Sequence, residues 1–116
     1  MQDYEINRGT TVYFDIEYLK NQDPVSLVGA TLYFTVKDNE YDKITDDNSA
    51  LIKKTVSSHT DAENGKSVIK LTPQDTWVKP GTYRYDVQVK EANGDVFELL
   101  EGNFVIDGAP TNRSVS

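Results

Sequence analysis

The stretch from Pro80 to Lys90, PGTYRYDVQVK, limits the possible folds more than any other part of the chain. Tyr83, Tyr85, Val87 and Val89 fall on one side of an extended backbone. Thr82, Arg84, Asp86, Gln88 and Lys90 fall on the other, the period of a half-buried β-strand. Asn93-Gly94 follows, and apolar residues resume at Val96, Phe97, Leu99 and Leu100, which predicts a hairpin. A three-residue loop, Ala92 to Gly94 with Gly94 at positive φ, sets Val89 against Phe97 and Val87 against Leu99. A two-residue loop would instead face Val89 with Glu98, so the longer loop is the better choice. Phe97 and Leu99 are odd-numbered but Phe104 and Ile106 are even-numbered. One extra residue must therefore intervene, and a bulge is expected near Leu100 to Gly102, with Gly102 as the candidate.

The rest of the chain repeats this pattern in shorter pieces. Tyr4 and Ile6 suggest a first strand. Val12, Phe14, Ile16 and Tyr18 alternate with Thr11, Tyr13, Asp15 and Glu17 in a second, and Leu32, Phe34 and Val36 mark another within Ala30 to Lys37. Ala50 to Val56 reads as an edge strand because Lys53 and Lys54 interrupt its apolar pattern. Val68 to Leu71 is a further strand. Asn21 to Ser26, Asp38 to Ser49 and Ser57 to Lys66 read as loops. Thr72 is placed to cap one helical turn over 73–76, with Pro73 first and Asp75 in the turn, and Trp77 is expected to return to the core.

Helical periodicity over ten or more residues is nowhere present. Six to eight short strands with turns between them indicate an all-β fold, an immunoglobulin-like antiparallel sandwich of about 7 strands over 1–107, with a polar tail over 108–116. A small barrel is the alternative. Tyr83, just after the Pro80-Gly81 turn, suits either a tyrosine corner, its hydroxyl returning to upstream backbone, or an ordinary core position.

The chain has 116 residues, enough for one core without disulfide or metal support. It has no cysteine, which excludes a disulfide framework and thiolate chemistry and fits folding in a reducing cytoplasm. Nineteen acidic and twelve basic residues give a net charge of −7, unfavourable for nucleic acid and anionic lipid. No apolar run approaches bilayer length and the N-terminus lacks a secretion signal, so a soluble protein without membrane insertion is expected.

Residues suited to chemistry are few. Asp38, Glu40 and Asp42 have the spacing with which some calcium loops begin, but Lys43 and Ser49 stand where such a loop needs glycine and glutamate; whether the 38–48 loop binds calcium stays open. His59, the single histidine, lies in a loop beside Ser58 and Asp61 without a third group to orient it, and reads as a surface residue. No catalytic, cofactor or metal residue is assigned and no enzyme is expected. Tyr13, Tyr33 and Tyr41 point outward, with Tyr13 and Tyr33 as possible neighbours on one face. Together with Lys53 and Lys54 they form the candidate interface.

Three segments carry a resemblance: RGTTVYFDIEY, PVSLVGATLYFTVK, and SVIKLTPQDTWVKPGTYRYDVQVKEANGDVFELLEGNFVI. Together, from about Arg8 to Ile106, they resemble the immunoglobulin-like N-terminal domain of phage upper baseplate proteins and related small tail and virion proteins. The resemblance implies a non-enzymatic structural component of a tailed bacteriophage virion, a baseplate or tail adaptor or a capsid or tail decoration protein. It would be made in the bacterial host cytoplasm and bound in symmetric multiple copies to other phage structural proteins. Baseplate proteins of that family continue into helical and receptor-binding parts, whereas this chain ends at Ser116 and is expected to be a free-standing virion component. The alternative is a carbohydrate-binding or adhesin-type module that meets host surface glycan through exposed aromatics.

Overall fold

A computed structural model describes residues 3–38 and 50–108. The described residues form strands and turns, with a single 3-10 turn at Ala62–Asn64. The strands are β1 (Tyr4–Asn7), β2 (Val12–Glu17), β3 (Leu19–Lys20), β4 (Asp23–Pro24), β5 (Thr31–Lys37), β6 (Ile52–Val56), β7 (Lys66–Leu71), β8 (Gly81–Lys90) and β9 (Val96–Asp107). One sheet has the order β1-β9-β8-β5-β6, a second pairs β2 with β7, and β3 and β4 form a small hairpin. The expected all-β class is therefore observed.

Alternation decides which side chains meet. Phe14 and Ile16 of β2 and Ile69 and Leu71 of β7 turn inward against Leu32, Phe34 and Val36 of β5 and Tyr83, Tyr85, Val87 and Val89 of β8. Five rings hold the centre. Phe14 lies 5.7 Å from Phe34 and 6.0 Å from Phe104 between ring centroids, Phe34 lies 5.9 Å from Tyr85, and Tyr4 lies 4.5 Å from Phe14. These offset and edge-on contacts suit aromatic quadrupoles better than face-to-face stacking.

Several expectations are corrected. The sheet is not wholly antiparallel, since β1 runs parallel to β9 with Tyr4 beside Phe104 and Ile6 beside Ile106. Local alternation carries no information on strand direction. The count exceeds seven because β3, just after the second strand, pairs with β4, which falls within the Asn21 to Ser26 segment that reads as a loop. Asn21 and Gln22 both take positive φ, 52° and 70°, the backbone of a tight two-residue hairpin turn that sequence usually signals with glycine. Residues 73–76 make a hydrogen-bonded turn rather than a helix. The cap itself forms: the Asp75 carboxylate accepts from the Thr72 N–H at 2.8 Å and hydroxyl at 2.9 Å, and Asp75 N–H returns to Thr72 Oγ1 at 3.2 Å. Only Thr76 N–H reaches four residues back, to Thr72 O, after which Trp77 N–H bonds Gln74 O and the turn ends.

Within the β8–β9 hairpin, Val89 faces Phe97 as expected, and Gly94 takes φ 96°. Val87, however, faces Leu100, so the extra residue is Leu99 and the bulge precedes Gly102, which pairs regularly with Tyr85. Tyr83 does form the corner: its hydroxyl donates to the carbonyl of Lys79. Trp77 does not enter the core. It is half-buried against Gly9, with the Arg8 guanidinium 3.8 Å above its ring. His59 is half-buried rather than a surface residue. Its Nε2 lies 2.8 Å from the carbonyl of Ala30, which can only accept, so Nε2 carries the proton and Nδ1 accepts from the Ser67 hydroxyl at 2.8 Å. The ring thus ties the start of β5 to β7, one sheet to the other.

Candidate interaction surface

The outer face of the five-stranded sheet is built by register. Thr55, Tyr33, Gln88 and Glu98 form one row across β6, β5, β8 and β9; Lys53, Thr35, Asp86 and Glu101 form the next. Tyr33, Thr35, Asp86 and Gln88, a block of two by two positions, line a depression in this face. Thr35 forms its floor and is only 8% exposed, although it points away from the core.

Carboxylates crowd one side of the depression. Glu98 is exposed, yet partial loss of water at its carboxyl group, together with a hydrogen bond and repulsion from Asp86, pushes its pKa up to about 7. Glu101 adds further repulsion and the Gln88 amide offsets part of it. The folded chain therefore binds a proton that the unfolded chain, with a carboxyl near 4.5, releases. Stability from this group is fully present below about pH 4.5 and is lost as pH rises through 7. Glu98→Gln removes the dependence: the variant should melt close to wild type at pH 5 and above it at pH 8. The gain should be about 1 kcal/mol, the carboxyl being partly screened by water. Equal melting shifts at both pH values in thermal scans would contradict this placement of Glu98.

The residues singled out from sequence do not form one patch. Tyr33 lies on this face, half-buried, but Tyr13 faces Lys70 on the outer side of the β2–β7 sheet and is 63% exposed, on the opposite side of the core. Tyr41 lies outside the described residues, as does most of the 38–48 acidic loop. Lys53 is exposed on the outer face beside Thr35. Lys54, one residue on, points inward beside Phe34, and its Nζ meets Asp75 at 2.9 Å. Burial raises the Asp75 pKa, but hydrogen bonds from Thr72 and Lys54 outweigh it and hold the carboxyl below its ordinary value. Lys54 thus ties the sheet edge to the 72–77 turn.

A second surface lies at one end, where three connections meet. Lys20 of the β3–β4 hairpin bonds Glu91 at 3.1 Å and sits 4.4 Å over the Phe97 ring, and Tyr18 donates to the same Glu91 carboxylate at 2.5 Å. Gly29 lies against Ala92, with 2.9 Å between its β-carbon position and the alanine Cβ. Leu19, Val28, Val96 and Phe97 are exposed on these segments. They are four of the six large apolar side chains exposed among the described residues, the others being Tyr13 and Leu51.

Sequence reasoning missed Glu98 and Glu101 as neighbours of Asp86. With the bulge placed too late, Asp86 is set against Leu100 and the meeting of carboxylates disappears. No group of three or more His, Asp or Glu side chains is placed to hold a metal among the described residues. No protein-family model matches the chain, and no curated protein matches it.

Proposed function

We propose that the chain is an immunoglobulin-like sandwich serving as a non-enzymatic structural component of a tailed bacteriophage virion, an adaptor or decoration protein that acts by docking on other phage proteins. The strand order supports the fold. The strands β5, β8 and β9 with β6 at one edge correspond to the C, F, G and C′ strands of a variable-type domain, β2 and β7 to B and E, and Tyr83 stands at the E–F corner. The observation that carries the docking role is the gathering of Leu19, Val28, Val96 and Phe97 at one end. Apolar side chains concentrated where loops converge suit a protein partner rather than solvent.

The glycan-binding alternative gains nothing from this arrangement, because Tyr13 and Tyr33 lie on opposite sides and form no shared aromatic stripe. Mass spectrometry of purified phage particles, followed by location of the chain in a cryo-EM map, tests the proposal. The expected result is stoichiometric presence with the Leu19–Phe97 end against a neighbouring protein. Absence from particles sinks the virion role.

A further inference from the structure

An asparagine followed by glycine can react with its own backbone, because the glycine carries no β-carbon to shield the nitrogen that attacks the side-chain amide. The chain has two such pairs, Asn64-Gly65 and Asn93-Gly94, and the fold gives them closely similar local bonds. Both glycines take positive φ, 73° and 96°. Each glycine N–H donates to a carbonyl three residues back, Gly65 to Ala62 at 3.0 Å and Gly94 to Glu91 at 2.8 Å. Each asparagine Nδ2 donates to a nearby aspartate, Asn64 to Asp61 at 3.0 Å and Asn93 to Asp95 at 3.3 Å.

Beyond the turn the two sites differ. Gly65 is buried, its carbonyl accepts from Tyr18 N–H at 2.7 Å, and the Ala62 carbonyl that holds its N–H also accepts from Leu27 N–H at 2.7 Å. Freeing the Gly65 nitrogen therefore loosens segments distant in sequence. Gly94 is exposed at a hairpin tip with nothing within 4 Å of its β-carbon position, and its N–H is held by a bond inside the loop. Local opening releases it. Asp95 N–H also donates to Asn93 Oδ1 at 2.9 Å, which draws electron density from the Cγ under attack.

We propose that Asn93 is a site of spontaneous deamidation at the rim of the apolar end. When the loop opens, the Gly94 N–H gives its proton to solvent and the nitrogen bonds to Asn93 Cγ. The bond from Cγ to Nδ2 breaks, ammonia leaves, and a cyclic succinimide is formed. Water then opens the ring at either carbonyl, giving aspartate or isoaspartate, with no oxidant or cofactor consumed. The product adds a carboxylate to a loop that already carries Glu91 and Asp95. Its isoaspartate form also lengthens the main chain by one carbon just ahead of the exposed Val96 and Phe97. That a partner covers this end rests on the docking role proposed above; a docked copy, its hairpin tip held, keeps the amide that a free copy loses.

The test incubates the full chain at pH 8 and 37 °C and digests it with trypsin, which puts the two pairs in separate peptides. Mass spectrometry reads the gain that accompanies exchange of an amide for an acid. Asn93 should convert at least about tenfold faster than Asn64, since opening at Gly65 breaks additional hydrogen bonds to remote segments. In concentrated urea the two rates should converge, and Asn93→Gln should hold the mass of its peptide constant. Equal rates in the folded chain, faster conversion at Asn64, or rates that stay apart in urea would each overturn the assignment. Chain recovered from purified virions is read in the same way. Conversion in free chain but not in packaged chain supports both the site and the covered end. Equal conversion in both removes the docking of this end and keeps the site, whereas a free chain that holds its amide removes the site and keeps the docking role.

Discussion

Gly65→Val is expected to cost about 3–5 kcal/mol, enough to leave a domain of ordinary stability largely unfolded at 37 °C. Gly65 sits at φ 73°, where a β-branched residue is strained by itself. The added β-carbon would also lie 2.5 Å from the carbonyl oxygen of Val25 and 2.9 Å from that of Tyr18. Both are backbone atoms and cannot swing aside. Their positions are fixed in turn, since Tyr18 N–H donates to Gly65 O at 2.7 Å and Val25 N–H donates to Tyr18 O at 2.9 Å. One residue thus joins the end of β2, the return of the β3–β4 hairpin and the 3-10 turn before β7. Gly94→Val is the matched control: φ is 96° but nothing lies within 4 Å, so only backbone strain remains, about 1 kcal/mol. Gly81 is not at positive φ, and its substitution carries no strain of this kind. Urea midpoints for the Gly65 and Gly94 variants that agree within error would show that the close approach at Gly65 is absent.

That contrast also shows what can be read from this chain without coordinates. Strands whose alternation is clean, β2, β5 and β8, are legible because a half-buried sheet demands a period of two, and the edge position of β6 is legible because two lysines interrupt its pattern. The Gly94 hairpin is legible from Asn93-Gly94. Gly65 follows an asparagine too, yet it joins segments distant in sequence, and nothing local marks the carbonyls of Tyr18 and Val25 as its neighbours. His59 hides for the same reason: its partners, Ala30 and Ser67, come from different sheets.

The acidic face was lost through a smaller error. Parity of apolar residues requires one extra residue between Phe97 and Phe104 but does not say where, and glycine drew the bulge toward Gly102. Its true position at Leu99 decides that Asp86 meets Glu101 and lies near Glu98. Surface chemistry depends on register more sharply than the core does. A bulge moved by three residues leaves Phe104 and Ile106 buried but exchanges a carboxylate for a leucine beside Asp86.

Phe104→Ala should cost about 3–5 kcal/mol, the range for truncating a buried aromatic where the surroundings relax only in part. Phe104 is fully buried in β9, between β8 and the parallel β1, beside Tyr83 on one side and Tyr4 on the other. Its ring stands edge-on to Phe34 at 5.8 Å, Tyr85 at 6.0 Å and Phe14 at 6.0 Å, so it touches residues of both sheets. Removing it forfeits apolar burial, three aromatic contacts and the packing between layers at once. Phe97, in the same strand but 41% exposed, provides the comparison, and Phe97→Ala should change stability by about 1 kcal/mol or less. In denaturant titrations the Phe104 variant should shift its midpoint strongly with little change in slope, as expected when native packing is lost and the unfolded chain is unchanged. Comparable small shifts for both variants would mean that the two sheets do not meet through these rings, and the layered core built from Phe14, Phe34, Tyr85 and Phe104 would have to be abandoned.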